Sequence, residues 1–272
     1  MYKVGSLFAG IGGLELGLEA TGKFKTVWQV ERDSYATKVL KKHWPDVPKH
    51  DDVCTFPPEA GNWDCDLICG GFPCQDISFA GKGAGLAGQR SGLFYEGIRI
   101  IDRLRPRWVL LENVTALLIR GLDDVLRELA EIGYDAQWHC VPAAAVGAHH
   151  RRDRIFIIGN MANANGANGP TSKIGMDKNR PQKSKKREGG DNWTQFGRCS
   201  TIMAKAKRNL CRVRSERGGA QWGVEPQICR MANGVPDRIH RIRCLGNAVV
   251  PQVAQFMGEI ILDRMGENEW IH

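Results

Sequence analysis

The first 160 residues alternate short apolar runs with segments of helical periodicity, and this alternation constrains the fold more than any other feature. Short apolar runs bounded by Gly, Pro or polar residues are typical of buried strands, whereas apolar residues three or four positions apart are typical of amphipathic helices. Their regular alternation predicts an α/β fold with a mostly parallel sheet covered on both faces. The predicted strands are Val4–Phe8, Thr26–Val30, Asp66–Gly70 and Trp108–Glu112, and the predicted helices are Leu14–Ala20, Ser34–His43, Leu93–Leu104 and Leu122–Ile132.

Two further strand-like runs, Asp135–Val141 and Arg154–Gly159, follow each other without a helical segment between them. Such a pair fits an antiparallel hairpin at one edge of an otherwise parallel sheet. Further along, Val249–Met265 is apolar at helical spacing, with Pro251 in the first turn, where a helix tolerates it. We expect this last helix to return to the main domain.

The composition changes after residue 160 and becomes poor in large aliphatic side chains. Residues 173–217 contain 14 lysines and arginines and 4 acids, so this segment carries +10 while the rest of the chain carries −2. We therefore predict a main domain of residues 1–160 and 246–272, and a small basic region of residues 161–245. A basic insert on a nearly neutral body indicates a polyanionic partner. The alternative is a solvated, disordered loop. The two interpretations are compatible if the segment becomes ordered only when it binds nucleic acid.

Membrane proteins and disulfide-rich secreted proteins are disfavoured by composition. No apolar run approaches the roughly 20 residues of a membrane-spanning helix. The N-terminal segment reads as a strand and lacks the apolar core and cleavage site of a signal peptide. The nine cysteines include no CxxC pair, which is typical of a cytoplasmic protein with reduced thiols. A zinc site is conceivable, but the spacing of its candidates matches no ligand pattern, so we predict none: Cys199, Cys211, Cys229, His240 and Cys244.

A glycine-rich turn, Phe8–Gly13, follows the first predicted strand and opens a helix. Glycines there allow a tight turn and bring backbone N–H groups close to a ligand. Glu31 ends the second strand, 19 residues after Gly12, where an acid commonly holds ribose hydroxyls. Asp52 ends a third run and could accept from an adenine amino group. Each acid alone could be a surface carboxylate or a helix cap, but the ordered set indicates an adenosine ligand.

The turn departs from the dinucleotide-binding pattern. It reads G-x-G-G rather than G-x-G-x-x-G, and an aromatic residue, Phe8, precedes it. Without the pyrophosphate fingerprint, the pattern favours S-adenosylmethionine over a nicotinamide dinucleotide.

A second group of reactive side chains follows predicted strands at the same edge of the sheet. Cys74 lies on a loop punctuated by Gly and Pro, and Pro73 restricts the direction of the chain there. Glu112 ends the fourth strand, and Arg152 and Arg154 precede the last one. These groups suit addition of a thiolate to an electron-poor ring, with an acid protonating a ring nitrogen and arginine holding a carbonyl oxygen. The alternatives are a buried cysteine and a plain ion pair between Glu112 and Arg154.

With these motifs, the chain resembles cytosine-5 DNA methyltransferases of the small bacterial or phage type. The matching stretches occur in the family's order: Phe8–Gly13, Glu31, Asp52, Gly71–Ser78, Arg90–Phe94, Glu112–Val114, Arg152–Arg154 and Gly246–Val249. Three features depart from the family pattern. His149 and His150 precede the arginine motif where the family has Gln. Gly234–Ile239 replaces the usual arginine-bearing segment before the last motif, and the recognition region is short.

The resemblance implies a role for each matching residue. Cys74 would attack carbon 6 of a cytosine flipped out of the duplex, and Glu112 would donate to ring nitrogen 3. Arg152 and Arg154 would steady the thiolate and the base carbonyl. The residues implied in S-adenosylmethionine binding are Phe8, Gly10, Ile11, Gly12, Glu31, Asp52, Pro73 and Asn247, of which Glu31 would bind the ribose and Asn247 the methionine end.

The resemblance also implies a Rossmann-like, S-adenosylmethionine-dependent methyltransferase fold with a small inserted target-recognition lobe. Its partner would be double-stranded DNA, read by the basic region, and the protein would act as a monomer in the cytoplasm of a bacterium or infected host, as part of restriction-modification. Three alternatives stand beside this one: a tRNA cytosine-5 methyltransferase on the same fold, a catalytically inactive DNA-binding relative, and a nicotinamide oxidoreductase, which the glycine pattern disfavours.

Overall fold

The computed structural model describes residues 1–59, 61–73, 92–161 and 237–266. Cys74, the motif that follows it and the basic segment 173–217 lie outside these residues, as do Cys199, Cys211 and Cys229, so the expectations about them stay predictions. No described helix is long and apolar enough to cross a membrane.

Seven strands and seven α-helices make up the described part of the chain. The strands are β1 (Tyr2–Leu7), β2 (Phe24–Val30), β3 (Lys49–His50), β4 (Leu67–Gly71), β5 (Trp108–Val114), β6 (Tyr134–Val141) and β7 (Arg154–Met161). The helices are α1 (Gly13–Ala20), α2 (Ser34–His43), α3 (Gly92–Leu104), α4 (Leu117–Arg120), α5 (Leu122–Glu131), α6 (Arg238–Asn247) and α7 (Pro251–Met265). Two short 3₁₀ helices cover Val53–Thr55 and Ala143–Val146.

The strands form one sheet in the order β3-β2-β1-β4-β5-β7-β6. The first five strands are parallel, and β7 runs antiparallel to both β5 and β6. The predicted parallel sheet and its antiparallel edge hairpin are therefore confirmed. The chain proceeds outward from β1 to β3 on one side and then resumes with β4 on the other side of β1. This reversal opens a crevice at the carboxyl ends of β1 and β4, where open α/β sheets bind ligands.

The predicted elements are present with small shifts at their ends. Helix α2 has the predicted bounds, whereas β5 continues two residues past its predicted end at Glu112. Three short or isolated elements were not predicted: β3, α4 and α6. Helix α6 spans residue 246, where the main domain is predicted to resume, and the ring of its His240 stacks on that of Tyr35 in α2 with centroids 5.8 Å apart.

Side chains alternate between two cores, one on each face of the sheet. On one face, Val4, Leu67 and Leu110 pack with residues of α1 and α7. On the other, Leu7, Ile68, Val109 and Leu111 pack with residues of α3 and α5. This two-residue period is the expected consequence of strand geometry, and it leaves the ends of the strands free to carry polar groups.

Glycines let the start of α1 approach the segment before α7 at backbone distance. A Cβ atom at Gly13 would lie 2.4 Å from the carbonyl oxygen of Val249, and one at Gly17 would lie 2.2 Å from that of Pro251. No side chain fits at either position without a backbone shift. The contact therefore fixes the turn between α6 and α7 beside the glycine-rich turn after β1.

Candidate active site

The turn from β1 to α1 is shaped by residues in the left-handed region. Phe8, Gly10 and Gly12 have φ values of 54°, 58° and 87°. A Cβ at Gly12 would also lie 2.4 Å from the ring of Trp44, so a larger residue there is excluded on two grounds. The chain thereby brings the backbone of Gly10 and Ile11 to the wall of the crevice.

Glu31 holds this turn in place through its carboxylate. One carboxylate oxygen accepts from the backbone N–H of Gly10 at 2.7 Å, and the other accepts from that of Asp33 at 2.7 Å. Burial raises the pKa of Glu31, and the hydrogen bond from Gly10 partly offsets that effect. Each oxygen keeps further acceptor capacity, which suits binding of two vicinal hydroxyls.

Asp52 caps the short 3₁₀ helix and also faces the crevice. Its carboxylate accepts from the backbone N–H of Cys54 at 2.9 Å, and this bond lowers the pKa of Asp52. The helix-cap alternative is therefore correct, but it leaves the other carboxylate oxygen for a ligand. Arg99 of α3 fastens this segment by donating to the carbonyl oxygens of Val53 at 3.1 Å and Phe56 at 2.7 Å.

A buried ion pair lies at the carboxyl end of β5. The guanidinium of Arg154 lies 2.9 Å from a carboxylate oxygen of Glu112, which is 7% exposed. Burial raises the pKa of Glu112 to about 7, since the charges of Arg154 and Arg152 only partly offset the loss of water. Glu112 is thus poised to hold or release a proton near neutral pH. Gly71 on β4 leaves the room for it, because a Cβ there would lie 2.9 Å from its carboxylate.

Asn113 anchors the chain where the cysteine loop begins. Its buried side-chain amide donates to the carbonyl oxygen of Phe72 at 3.1 Å. The ring of Phe72 packs on that of Phe94 with centroids 5.0 Å apart. Pro73 follows in the wall of the crevice, and Cys74 is the next residue in the sequence. The chain therefore enters the predicted nucleophile loop beside Glu112.

The two predicted arginines contact different parts of the site. Arg154 faces Glu112, whereas Arg152 donates to the carbonyl oxygens of Gly246 and Ala248, both at 2.6 Å. The sequence motif places them two residues apart but does not show this division.

Nine predicted site residues line one cavity of about 660 Å³: Phe8, Gly10, Ile11, Glu31, Asp52, Pro73, Glu112, Arg154 and Asn247. This volume lies within the range of small-molecule sites. Gly12 shapes the turn, and Arg152 lies behind the wall, so neither lines the cavity. The sequence analysis missed several lining residues, among them Asp51, Leu93 and Arg243. Arg243 of α6 forms an ion pair with Asp33, a contact across 210 positions that no local pattern indicates.

A family model for C-5 cytosine-specific DNA methylases matches residues 2–216 of the chain. The chain belongs to this family. Among curated proteins, it is 41% identical over 162 residues to type II methyltransferase M1.ScrFI of Lactococcus lactis subsp. cremoris, covering 58% of this chain and 41% of that protein. It is 36% identical over 167 residues to type II methyltransferase M2.BsuMI of Bacillus subtilis strain 168, covering 58% and 42%. The chain thus aligns with less than half the length of these relatives.

Solved structures of methyltransferases share the fold. The Schizosaccharomyces pombe Dnmt2 methyltransferase superposes with a TM-score of 0.62 at 15% identity, covering 97% of this chain and 99% of that one. The Entamoeba histolytica methyltransferase EhMeth gives a TM-score of 0.60 at 14% identity, covering 97% and 99%. Together with the sheet order, these similarities establish the Rossmann-like methyltransferase fold.

Proposed function

We propose that this methylase transfers a methyl group from S-adenosylmethionine to carbon 5 of cytosine in double-stranded DNA. The observation that carries the proposal is the Glu112–Arg154 pair in the same cavity as the Gly10–Glu31 cradle. One end of that cavity offers a proton donor and a guanidinium, and the other offers acceptors for an adenosine. Family membership and the names of the type II relatives agree with this chemistry.

The cofactor end of the cavity fits S-adenosylmethionine. In the described part of the chain, the left-handed turn at Gly10 leaves no atom within 4 Å of the place where a Cβ would be, so a ligand can approach the backbone. Glu31 would accept from the ribose hydroxyls, Asp52 from the adenine amine, and Asn247 would contact the methionine end. When bound, the sulfonium supplies an electrophilic methyl group. Phe8, Ile11 and Pro73 would complete the apolar part of this wall.

The base end fits activation of a cytosine ring. The thiolate of Cys74 would add to carbon 6 while Glu112 delivers a proton to nitrogen 3 and Arg154 donates to the carbonyl oxygen. The adduct makes carbon 5 nucleophilic, so that it takes the methyl group. Loss of the carbon 5 proton to a base, elimination of the Cys74 sulfur and return of the nitrogen 3 proton to Glu112 would then give 5-methylcytosine and the free enzyme, with S-adenosylhomocysteine as the second product.

A cytosine reaches this cavity only after leaving the duplex, at a cost of a few kcal/mol. Phosphate contacts from the basic segment 173–217 can offset part of that cost. We therefore assign residues 161–245 to target recognition, with α6 returning the chain to the cofactor wall. The named relatives are type II methyltransferases, which supports a role of the proposed reaction in restriction-modification.

Transfer of tritiated methyl from S-adenosylmethionine to duplex DNA and to tRNA tests the proposal. We expect labelling of duplex DNA alone, and loss of it by at least about three orders of magnitude in Cys74→Ser, because the serine hydroxyl is not ionised at neutral pH. Cys140→Ser, on the edge strand β6, is the matched control and should retain activity. Labelling of tRNA alone would establish the alternative substrate, and DNA labelling that survives Cys74→Ser would exclude the mechanism.

A further inference from the structure

The turn between α6 and α7 forms the cavity wall that faces the glycine-rich turn. Asn247, Ala248 and Val249 line the cavity here. On one side this turn rests against α1, where the missing side chain of Gly13 admits the carbonyl of Val249. The opposite side of the turn therefore needs its own support if the wall is to keep its shape.

Arg152 provides a contact on that other side. A single guanidinium nitrogen donates to the carbonyl oxygens of Gly246 and Ala248, both at 2.6 Å. A third carbonyl, that of Leu245, lies at 3.5 Å. The last carbonyls of a helix lack partners and carry partial negative charge, so a cation there caps the helix and fixes the residues that follow.

The backbone of Arg152 adopts a conformation that is rare for a non-glycine residue. Its φ of 37° lies in the left-handed region, which a non-glycine residue adopts only when its surroundings hold it there. Two residues later, Arg154 starts β7 and pairs with Glu112 inside the cavity. Within this short segment, Arg154 therefore contacts the base end of the cavity, and Arg152 contacts the backbone of the cofactor wall.

We propose that Arg152 is a positioning residue for the cofactor wall Asn247–Val249, whereas Arg154 is the arginine that contacts Glu112 at the base end. The expected effect on cofactor binding rests on the proposed S-adenosylmethionine site. The hydrogen bonds from Arg152 to Gly246 and Ala248 are independent of that proposal. This assignment replaces the sequence-based expectation that both arginines steady the thiolate and the base carbonyl.

Backbone hydrogen exchange of residues 244–253, measured without ligand, tests the positioning alone. We expect Arg152→Ala to raise exchange in this segment about tenfold, because the turn loses its cap, while Arg154→Lys leaves it unchanged. Arg152→Lys should restore much of the protection, since an ammonium can still donate to two carbonyls. Arg151→Ala, which removes an exposed neighbouring cation, is the control and should behave as wild type. Unchanged exchange in Arg152→Ala would overturn the inference.

Titration calorimetry with S-adenosylhomocysteine in the absence of DNA tests the consequence. Arg152→Ala should weaken S-adenosylhomocysteine binding by about tenfold, with Arg152→Lys intermediate. In the methyl-transfer assay, Arg152→Ala should raise the cofactor KM more than it lowers kcat. Arg154→Lys should keep cofactor affinity within about twofold and lower kcat instead. Intact affinity in Arg152→Ala together with a lost kcat would place this arginine on the base and overturn the assignment. Absence of binding by the wild type would refute the proposed function, and hydrogen exchange would then decide the positioning role by itself.

Discussion

Glu15 is a fully buried carboxyl directly below the cofactor turn, in the first turn of α1. The side-chain amide of Gln29 donates to one of its oxygens at 3.2 Å, and the other oxygen has no hydrogen-bond partner among the described residues. Burial raises the pKa of Glu15 to about 7, which outweighs the hydrogen bonds that favour the ionised form. The proton on this carboxyl is therefore linked to the stability of the fold.

We expect Glu15→Gln to stabilise the protein above neutral pH. Because folding raises the pKa, the stability that the protonated carboxyl contributes is fully present below its unfolded pKa of about 4.5 and is lost as pH rises through about 7. The amide cannot ionise, so at pH 8 the variant should gain on the order of 2–3 kcal/mol in free energy of unfolding relative to wild type. Urea denaturation at several pH values measures this difference.

The same pair of proteins compared near pH 4.5 is the control for that prediction, since both carry a neutral side chain there. Glu112 contributes a trend of the same sign, but it is present in both proteins and cancels in the difference. A gain that is independent of pH would show that Glu15 remains ionised in the fold.

Among the elements, α1 and α7 approach each other closely at Gly17, and the cofactor turn depends on their contact. Besides the carbonyl of Pro251, a Cβ at Gly17 would lie 2.4 Å from the Cβ of Ala254 and 2.7 Å from the backbone nitrogen of Gln255. Two of these three neighbours are backbone atoms, which cannot move aside as a flexible side chain would. The helices must separate to admit even a methyl group.

Gly17→Ala should lower the free energy of unfolding by about 1–3 kcal/mol, despite the better helix propensity of alanine, which is worth about 1 kcal/mol. Gly92→Ala is the matched control, because Gly92 begins α3 and no atom of the described residues lies within 4 Å of the added methyl group. We expect that control to be neutral or slightly stabilising. Equal stabilities of the two variants in urea denaturation would contradict the close approach of α1 and α7.

At the scale of the whole molecule, the distribution of charge separates two functions. Residues 173–217 carry a net charge of +10, whereas the remainder, which contains the cavity, carries −2. A phosphate backbone is attracted to clustered cations, and each phosphate contact releases counterions and so makes binding depend on salt.

Neutralising Lys183, Lys185, Lys186 and Arg187 together should weaken duplex DNA binding and reduce its salt dependence. If all four contact phosphates, the slope of log affinity against log salt falls by up to about 3 to 4 units. The control neutralises four exposed lysines of the main body: Lys25, Lys38, Lys41 and Lys42. Fluorescence anisotropy over a range of salt concentrations gives both slopes. An unchanged slope in the first variant would show that the four cations make no phosphate contact.

The sequence was sufficient to predict the sheet, its antiparallel hairpin and nine of the residues that line the cavity. Periodicity and strand-end position are local properties, and the carboxyl ends of parallel strands converge whatever the loops do, so Glu31 and Glu112 could be assigned to one crevice in advance. The glycine-rich turn could also be predicted from the sequence, because the left-handed backbone at Gly10 and Gly12 favours residues without a side chain.

The contacts of the arginines, in contrast, depend on the three-dimensional packing. Arg99 donates to the carbonyl oxygen of Phe56, 43 positions earlier in the sequence. Arg243 forms an ion pair with Asp33, and Arg152 donates to the carbonyl oxygen of Gly246 in α6. A long cationic side chain can reach many acceptors from one position, and the sequence does not record which carbonyl will be left without a partner nearby. That choice follows from where helices end in space, which is settled by the packing of the whole sheet.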